Sequence, residues 1–286
     1  MAKILSKSEQ VQRSIITKFR KPIWSKFLQA IKTYSLVEEG DKIAVCVSGG
    51  KDSVLMAKCF QQLKRHSDVK FDLEFIIMDP GYNQENRDRI KANCDLLEIP
   101  AKTFESDVFE VSDLIGGEHP CYLCARMRRG FLYARAQELG CNKIALGHHK
   151  SDVIETTLMG MLFGGQVQGM MPKIKSANFP GMQLIRPLYM VLESDVFHWR
   201  DYNDLKFIAC ACRLTQNLAV DEQGQSARQD VKKLISDFRT RNPDVEASIF
   251  KSIHNVQLDT LPSFKYQGET FDFLDKFDAP LTIKKD

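Results

Sequence analysis

The chain has 286 residues, 43% hydrophobic and 27% charged, a balance that suits a globular protein and excludes collagen-like, low-complexity and coiled-coil chains. Its 40 Lys/Arg against 37 Asp/Glu sum to +3, a total that by itself names no partner. The charge-free stretch 156–172 is broken by four glycines and ends in proline, and residues 1–10 lack the apolar core of a secretory signal, so a cytoplasmic protein with no membrane partner is expected.

In chain order, residues 9–35 place Val11, Ile15, Phe19, Phe27, Ile31 and Tyr34 at helical spacing, and Pro22 interrupts the pattern. Two amphipathic helices with a break near Pro22 are expected, in a basic N-terminal arm over 1–36; residues 1–34 hold eight Lys/Arg against one acid. The period then changes. Lys42–Ser48 is a short apolar run followed by Gly49-Gly50 and a helix-like segment from Val54 to His66, which reads as strand, glycine turn and helix. Phe71–Met78 reads as a strand closed by Asp79-Pro80-Gly81, with a helix near 83–97 and a weaker strand at Ala101–Phe104. A helix over Cys121–Leu139, a strand at Lys143–Gly147, a helix over Asp152–Leu162 and a strand at Met182–Arg186 continue the alternation.

Strands alternating with helices predict an α/β domain over about 37–215, a Rossmann-like, doubly wound and mostly parallel sheet. Such sheets bind ligands beyond the carboxyl ends of their strands. Ser48-Gly49-Gly50 and Gly147-His148-His149 both fall at such ends. Residues 216–286 read as a helical extension, Ala227–Arg239 and Val245–Val256, followed by an acidic tail.

The string Ser48-Gly49-Gly50-Lys51-Asp52-Ser53 carries the strongest chemical signal. Glycines after a strand let backbone approach a phosphate, and the helix that follows offers unpaired N–H groups and its positive dipole end. Ser48 and Ser53 can donate hydroxyls, Lys51 adds charge, and Asp52 can hold magnesium or cap the helix. A structural turn explains a bare glycine pair, but the whole string favours phosphate binding. The GxxxxGK[ST] spacing of the other common phosphate loop is absent.

Eight cysteines in a reducing compartment are not read as disulfides. Cys46, Cys59, Cys94 and Cys141 sit in apolar or helical settings and read as packing residues. Cys121/Cys124 form a CxxC and Cys210/Cys212 a CxC, two close pairs that suit an iron–sulfur cluster, zinc or a redox centre. Arg126, Arg128, Arg129 and Arg135 follow the CxxC, and with Lys18, Arg20 and Lys21 they offer a basic surface for a polyanion such as nucleic acid, against the bland alternative of a solvated helix face. Phe19 and Trp24 could stack bases, but their spacing fits core packing better. His148 and His149 can bind metal or move protons; Asp152 and Glu155 can act at the site or simply cap a helix.

Together, SGGKDS, Cys121-x-x-Cys124 with Arg126, Arg128 and Arg129, the segment Gly147-His148-His149 to Asp152, Glu155 and Thr156, and Arg186-Pro187-Leu188 resemble the tRNA 2-thiocytidine synthetase (TtcA-like) family of PP-loop ATP pyrophosphatases. The resemblance spans roughly residues 10–260. It implies an adenine nucleotide alpha hydrolase-like fold and an ATP- and Mg2+-dependent enzyme that adenylates a cytidine in the tRNA anticodon loop, at expected position 32, and replaces its 2-oxygen with sulfur. It implies a 4Fe-4S cluster on three cysteines, Cys121, Cys124 and a distal one; the family's distal CxxC is shortened here to Cys210-Ala-Cys212, and matching its second cysteine gives Cys212, with Cys210 the alternate. It also implies ATP or pyrophosphate contacts from Ser48 to Ser53, Gly147 and His148, catalytic roles for Asp52 and Asp152, and tRNA contacts from Arg126, Arg128, Arg129, Lys18, Arg20 and Lys21. A cysteine desulfurase or other persulfide donor and a homodimer belong to the same expectation. The alternatives are a PP-loop ligase or thiolase acting on another base or a small molecule, and a non-catalytic metal- and RNA-binding module.

Overall fold

The computed structural model describes residues 5–115, 120–208 and 227–277, without the side chains of 112–122 and 276. The chain opens with α1 (Lys7–Ile16), capped by Ser6 and Glu9, which bond to each other's backbone N–H groups. Pro22 lies in a wide turn, Arg20–Trp24, before α2 (Ser25–Thr33). The break aligns the apolar stripes of both helices: Val11, Ile15, Phe19, Ile23, Phe27 and Ala30 are all buried in the principal core.

β1 (Lys42–Cys46), α3 (Lys51–His66), β2 (Asp72–Asp79), α4 (Gln84–Leu96) and β3 (Ala101–Glu105) form the first half of the sheet. After α5 (Val108–Ile115) and α6 (Pro120–Glu138), the second half adds β4 (Lys143–Ala145), α7 (Lys150–Gly164), β5 (Lys173–Lys175), β6 (Gln183–Ile185) and α8 (Glu193–Tyr202). The strand order is β3-β2-β1-β4-β6-β5, parallel except for β5 on the far edge. The expected α/β class and doubly wound sheet are present. Past their first residues, Lys42 and Lys143, the central strands β1 and β4 are apolar, as two covered faces require; Ile43, Ala44, Val45, Ile144 and Ala145 are fully buried.

Among the described residues, three helices and three strands lie where the sequence reading placed none, the third helix being the single turn Leu274–Phe277. α5 and α8 are short, and β5 has only Ile174 between two lysines, too little for a periodic signal. After α9 (Ala227–Arg241) and α10 (Val245–Ser252), the expected acidic tail contains a hairpin, β7 (Ser263–Tyr266) with β8 (Glu269–Asp272). Its two-residue turn puts Gln267 at φ 52° and Gly268 at φ 89°, and Phe264 stacks on Phe271 at 5.1 Å. No described helix is long and apolar enough to cross a membrane.

One buried cation fastens the middle of the sheet. Lys143, the first residue of β4, is 1% exposed and reaches Asp41 at 2.6 Å, Glu38 at 2.8 Å and the Leu36 carbonyl at 3.2 Å. It anchors β4 to the segment that leads into β1. Lys143→Met leaves the buried Asp41 carboxylate without its cation and is expected to cost about 3–5 kcal/mol in urea unfolding. Hydrogen bonds from Lys143, then Lys173, hold Glu38 down from its ordinary 4.5 to about 2. A depressed carboxyl stabilises above its unfolded value, so this contribution is lost as pH falls from 4.5 toward about 2, and Lys143→Met should flatten the urea midpoint across that window.

Candidate functional site

β1 and β4 are parallel neighbours, with Val45 opposite Ala145, and the strand order reverses between them. Their carboxyl ends therefore open onto one crevice, which receives residues 47–53 and 146–152. In the first loop Gly49 sits at φ +80°, where a Cβ would come within 2.4 Å of the Ile90 side chain. Ser53 pins this loop: its Oγ accepts the Ser48 N–H at 3.0 Å and the Ser48 hydroxyl at 3.2 Å, while its own hydroxyl donates to the Gly50 carbonyl at 2.9 Å. That hydroxyl organises the turn. α3 begins at Lys51, so its N-terminal end faces the crevice.

The second loop touches the first. A Cβ on Gly147 would lie 3.0 Å from the Ser53 nitrogen and 3.1 Å from the Asp52 carbonyl carbon, so only glycine lets the two backbones approach this closely. His149 then caps α7, its N–H donating to Asp152 Oδ2 at 2.9 Å. The adjacent histidines take different environments. Burial and then Arg186 push His148 down to about 4, so it is neutral at pH 7, and its Nδ1 is buried without a hydrogen-bond partner among the described residues. For His149 burial also acts downward, but the surrounding Glu193, Asp152 and Asp52 carboxylates outweigh it and raise its pKa.

Charge is dense here. Lys51 Nζ lies 3.0 Å from Asp52 Oδ2 and 3.1 Å from Glu193 Oε1. His149 Nε2 faces Asp52 Oδ1 at 3.7 Å and Glu193 Oε1 at 3.8 Å. From α9, Arg228 reaches Glu155 at 3.1 Å and Asp152 at 3.4 Å, and Lys232 reaches Glu193 at 3.1 Å and Glu155 at 3.6 Å. Burial raises the Glu155 pKa, although both cations oppose it. A 260 Å³ cavity borders this network, lined by Glu155, Glu193, Phe197 and Lys232. A larger one, 480 Å³, opens beside α4 and β3 and shares none of the loop residues; Asp79 at its rim is taken up by the Gly81 and Tyr82 N–H groups and by Arg87.

The structure thus brings together Ser48, Gly49, Gly50, Lys51, Asp52, Ser53, Gly147 and Asp152, with His148 beside them. Glu193, Arg228 and Lys232 were not singled out by the sequence. Glu193 opens a helix too short to be recognised, and Arg228 and Lys232 sit on a helix far along the chain whose docking no local pattern reveals. Asp52 Oδ1 is buried without a hydrogen-bond partner among the described residues, and with Asp152 it offers the hard oxygen donors that magnesium takes. Among the described residues no three candidate ligands are grouped closely enough to hold a metal by themselves. Magnesium ordinarily keeps waters and substrate phosphates, so two carboxylates suit it.

Of the cluster candidates, Cys124 is buried on α6, while the side chain of Cys121 and residues Cys210 and Cys212 lie outside the described residues. The four packing cysteines are buried as expected, and burial pushes their thiols up, Cys94 and Cys141 to about 11. Arg126 and Arg129 are exposed and Arg128 half-buried; Lys18, Arg20 and Lys21 are exposed, with Lys18 4.1 Å from the Tyr202 ring. Arg135 is engaged by Glu138 at 2.7 Å and by the Phe131 and Phe104 rings. Phe19 is buried and Trp24 stacks on Phe27 at 5.6 Å, which is core packing.

The sequence matches the PP-loop domain family over residues 20–217. It is 35% identical over 274 residues to the tRNA-cytidine(32) 2-sulfurtransferase of Aliivibrio salmonicida, covering 94% of this chain and 84% of that protein. The protein of the same name from Vibrio cholerae is 34% identical over 275 residues, with 94% and 83% covered. Among solved structures, the U34-tRNA thiolase NcsA from Methanococcus maripaludis, with its 4Fe-4S cluster, superposes with a TM-score of 0.62 over 82% of this chain and 79% of its own, at 21% identity, a shared fold.

Gly147→Ala must push the two loops apart by a few tenths of an ångström. The expected outcome is about 1–3 kcal/mol of lost stability in thermal unfolding, together with weaker ATP binding; a variant unchanged in both shows that the close approach does not matter.

Proposed function

Because the chain belongs to the PP-loop family of tRNA-cytidine(32) 2-sulfurtransferases, we propose that it converts cytidine 32 of tRNA to 2-thiocytidine at the expense of ATP. The observation that carries this reading is the convergence of SGGKDS and Gly147–Asp152 at the reversal point of the sheet, which gathers a helix N-terminus, an ammonium and two carboxylates, the groups that a nucleoside triphosphate with its magnesium would need.

In this mechanism the loop from Ser48 to Ser53 cradles the phosphates. Lys51 and the positive end of α3 favour the charge that develops on departing pyrophosphate. Asp52 and Asp152 hold magnesium, which neutralises phosphate oxygens when bound. The cytidine 2-oxygen attacks the α-phosphorus, pyrophosphate leaves, and the adenylated oxygen becomes a competent leaving group. Sulfur at the sulfide level, released from the donor's persulfide by two electrons from a thiol reductant, then attacks C2 and displaces AMP, which carries the original oxygen away. His148, neutral at pH 7, lies beside the loop without adding positive charge.

Thiolates are the donors that cluster iron takes, and Cys121, Cys124 and Cys212, with Cys210 as the alternate, would hold a 4Fe-4S cluster. Bound there, such a cluster would supply an iron site for sulfur. A cysteine desulfurase or another persulfide protein supplies the sulfur. Arg126, Arg128 and Arg129, which have no ion pair with described residues, and Lys18, Arg20 and Lys21 contact tRNA phosphates.

Nucleosides of tRNA from cells lacking the protein, separated by mass spectrometry, should lack 2-thiocytidine, and a wild-type copy but not Asp52→Asn should restore it. Normal 2-thiocytidine in those cells overturns the substrate. Purified anaerobically, Cys124→Ser and Cys212→Ser should lose bound iron and sulfide while Cys210→Ser keeps them; an unchanged cluster in Cys212→Ser moves the third ligand to Cys210.

A further inference from the structure

One carboxylate at the mouth of the nucleotide loop joins three elements and has no part in the mechanism above. Glu193, the first residue of α8, places Oε1 3.1 Å from Lys51 Nζ and Oε2 3.1 Å from Lys232 Nζ on α9. Its backbone N–H donates to Ser151 Oγ at the start of α7, at 3.1 Å. His149, then Lys51, hold its carboxyl well below the usual range, so it is anionic at neutral pH.

Seen from Lys51, the arrangement leaves one opening. An ammonium has three donors. Asp52 Oδ2 accepts one at 3.0 Å and Glu193 Oε1 accepts another at 3.1 Å, and the Phe197 ring lies 4.4 Å from Nζ. A four-carbon stem that would otherwise be free to rotate is held on three sides, and its side chain is 15% exposed. One donor has no acceptor among the described residues.

We propose that Glu193 is a positioning residue for the nucleotide: it fixes the Lys51 ammonium beside the loop so that the remaining donor meets a phosphate beyond the first, and Lys232 fixes Glu193 in turn. The inference rests on the PP-loop reading of Lys51 and brings residues of α8 and α9 into the site. Glu193 acts through the lysine, so its effect is confined to ligands that carry β- and γ-phosphates.

The test is calorimetric titration of the full chain with ATP and, separately, AMP, both with magnesium. Glu193→Ala should weaken ATP binding about tenfold and leave AMP unchanged, the size expected for one charge-assisted contact. Glu193→Gln keeps an acceptor without the charge and should fall between, and Lys232→Ala should move ATP binding the same way by less. In a Lys51→Ala background, Glu193→Ala should cost nothing further. Equal weakening of ATP and AMP, additive losses in the double variant, or unchanged or tighter ATP binding overturns the proposal. A wild-type chain that binds no ATP overturns the nucleotide reading instead. Unfolding temperatures of all variants separate these outcomes from loss of fold.

Discussion

The close approach of the two loops at the carboxyl ends of β1 and β4 is the constraint on which the rest of the site depends. Parallel pairing of Val45 with Ala145 brings the strand ends level, and the glycine at 147 removes the one atom that would keep the backbones apart. From there the geometry is forced. α3 and α7 both start at the crevice, so two helix N-termini and the residues of their first turns, Asp52 and Asp152, meet across it. An anionic ligand placed there gains from both dipole ends at no cost in reorganisation.

The same geometry concentrates negative side chains, which the protein must offset. Asp52, Asp152, Glu155 and Glu193 share the crevice wall with Lys51, His149, Arg228 and Lys232. Two of those cations come from α9, which follows the last strand of the sheet in the chain, so this helix acts as a source of countercharge as well as a cover. Its Val231 and Ile235 pack on Ile154 of α7, which holds Arg228 and Lys232 over the carboxylates. Apolar burial and ion pairing thus act on one helix face at once. The buried cation Lys143 does for the amino end of β4 what Gly147 does for its carboxyl end: it fixes the strand beside β1.

Much of the architecture was legible because its signals are local. Apolar runs in β1 and β2, the turn residues after them and the helical spacing of α3 and α6 are set by neighbours in sequence. The break at Pro22 and the packing roles of Phe19, Cys46 and Cys59 were readable for the same reason. What escaped was short or distant. β5 offers three residues, α8 ten with two buried, and the hairpin of β7 and β8 depends on two consecutive positive φ angles that a Gln-Gly pair only weakly announces.

The sequence by itself determined the chemistry on offer: a glycine loop with serine, lysine and aspartate after a strand, a CxxC followed by arginines, and a His-His segment at a second strand end. Their order along the chain was enough to suggest the family. Only the tertiary structure decided which of these groups meet. It spent the Ser53 hydroxyl on the loop itself, gave His148 and His149 opposite pKa shifts through different neighbours, and recruited Glu193, Arg228 and Lys232 from helices whose own sequences look like ordinary charged surface. The reason is physical: backbone preference and hydrophobic period act over a few residues, whereas burial and Coulomb interaction depend on distances that exist only after the sheet has closed.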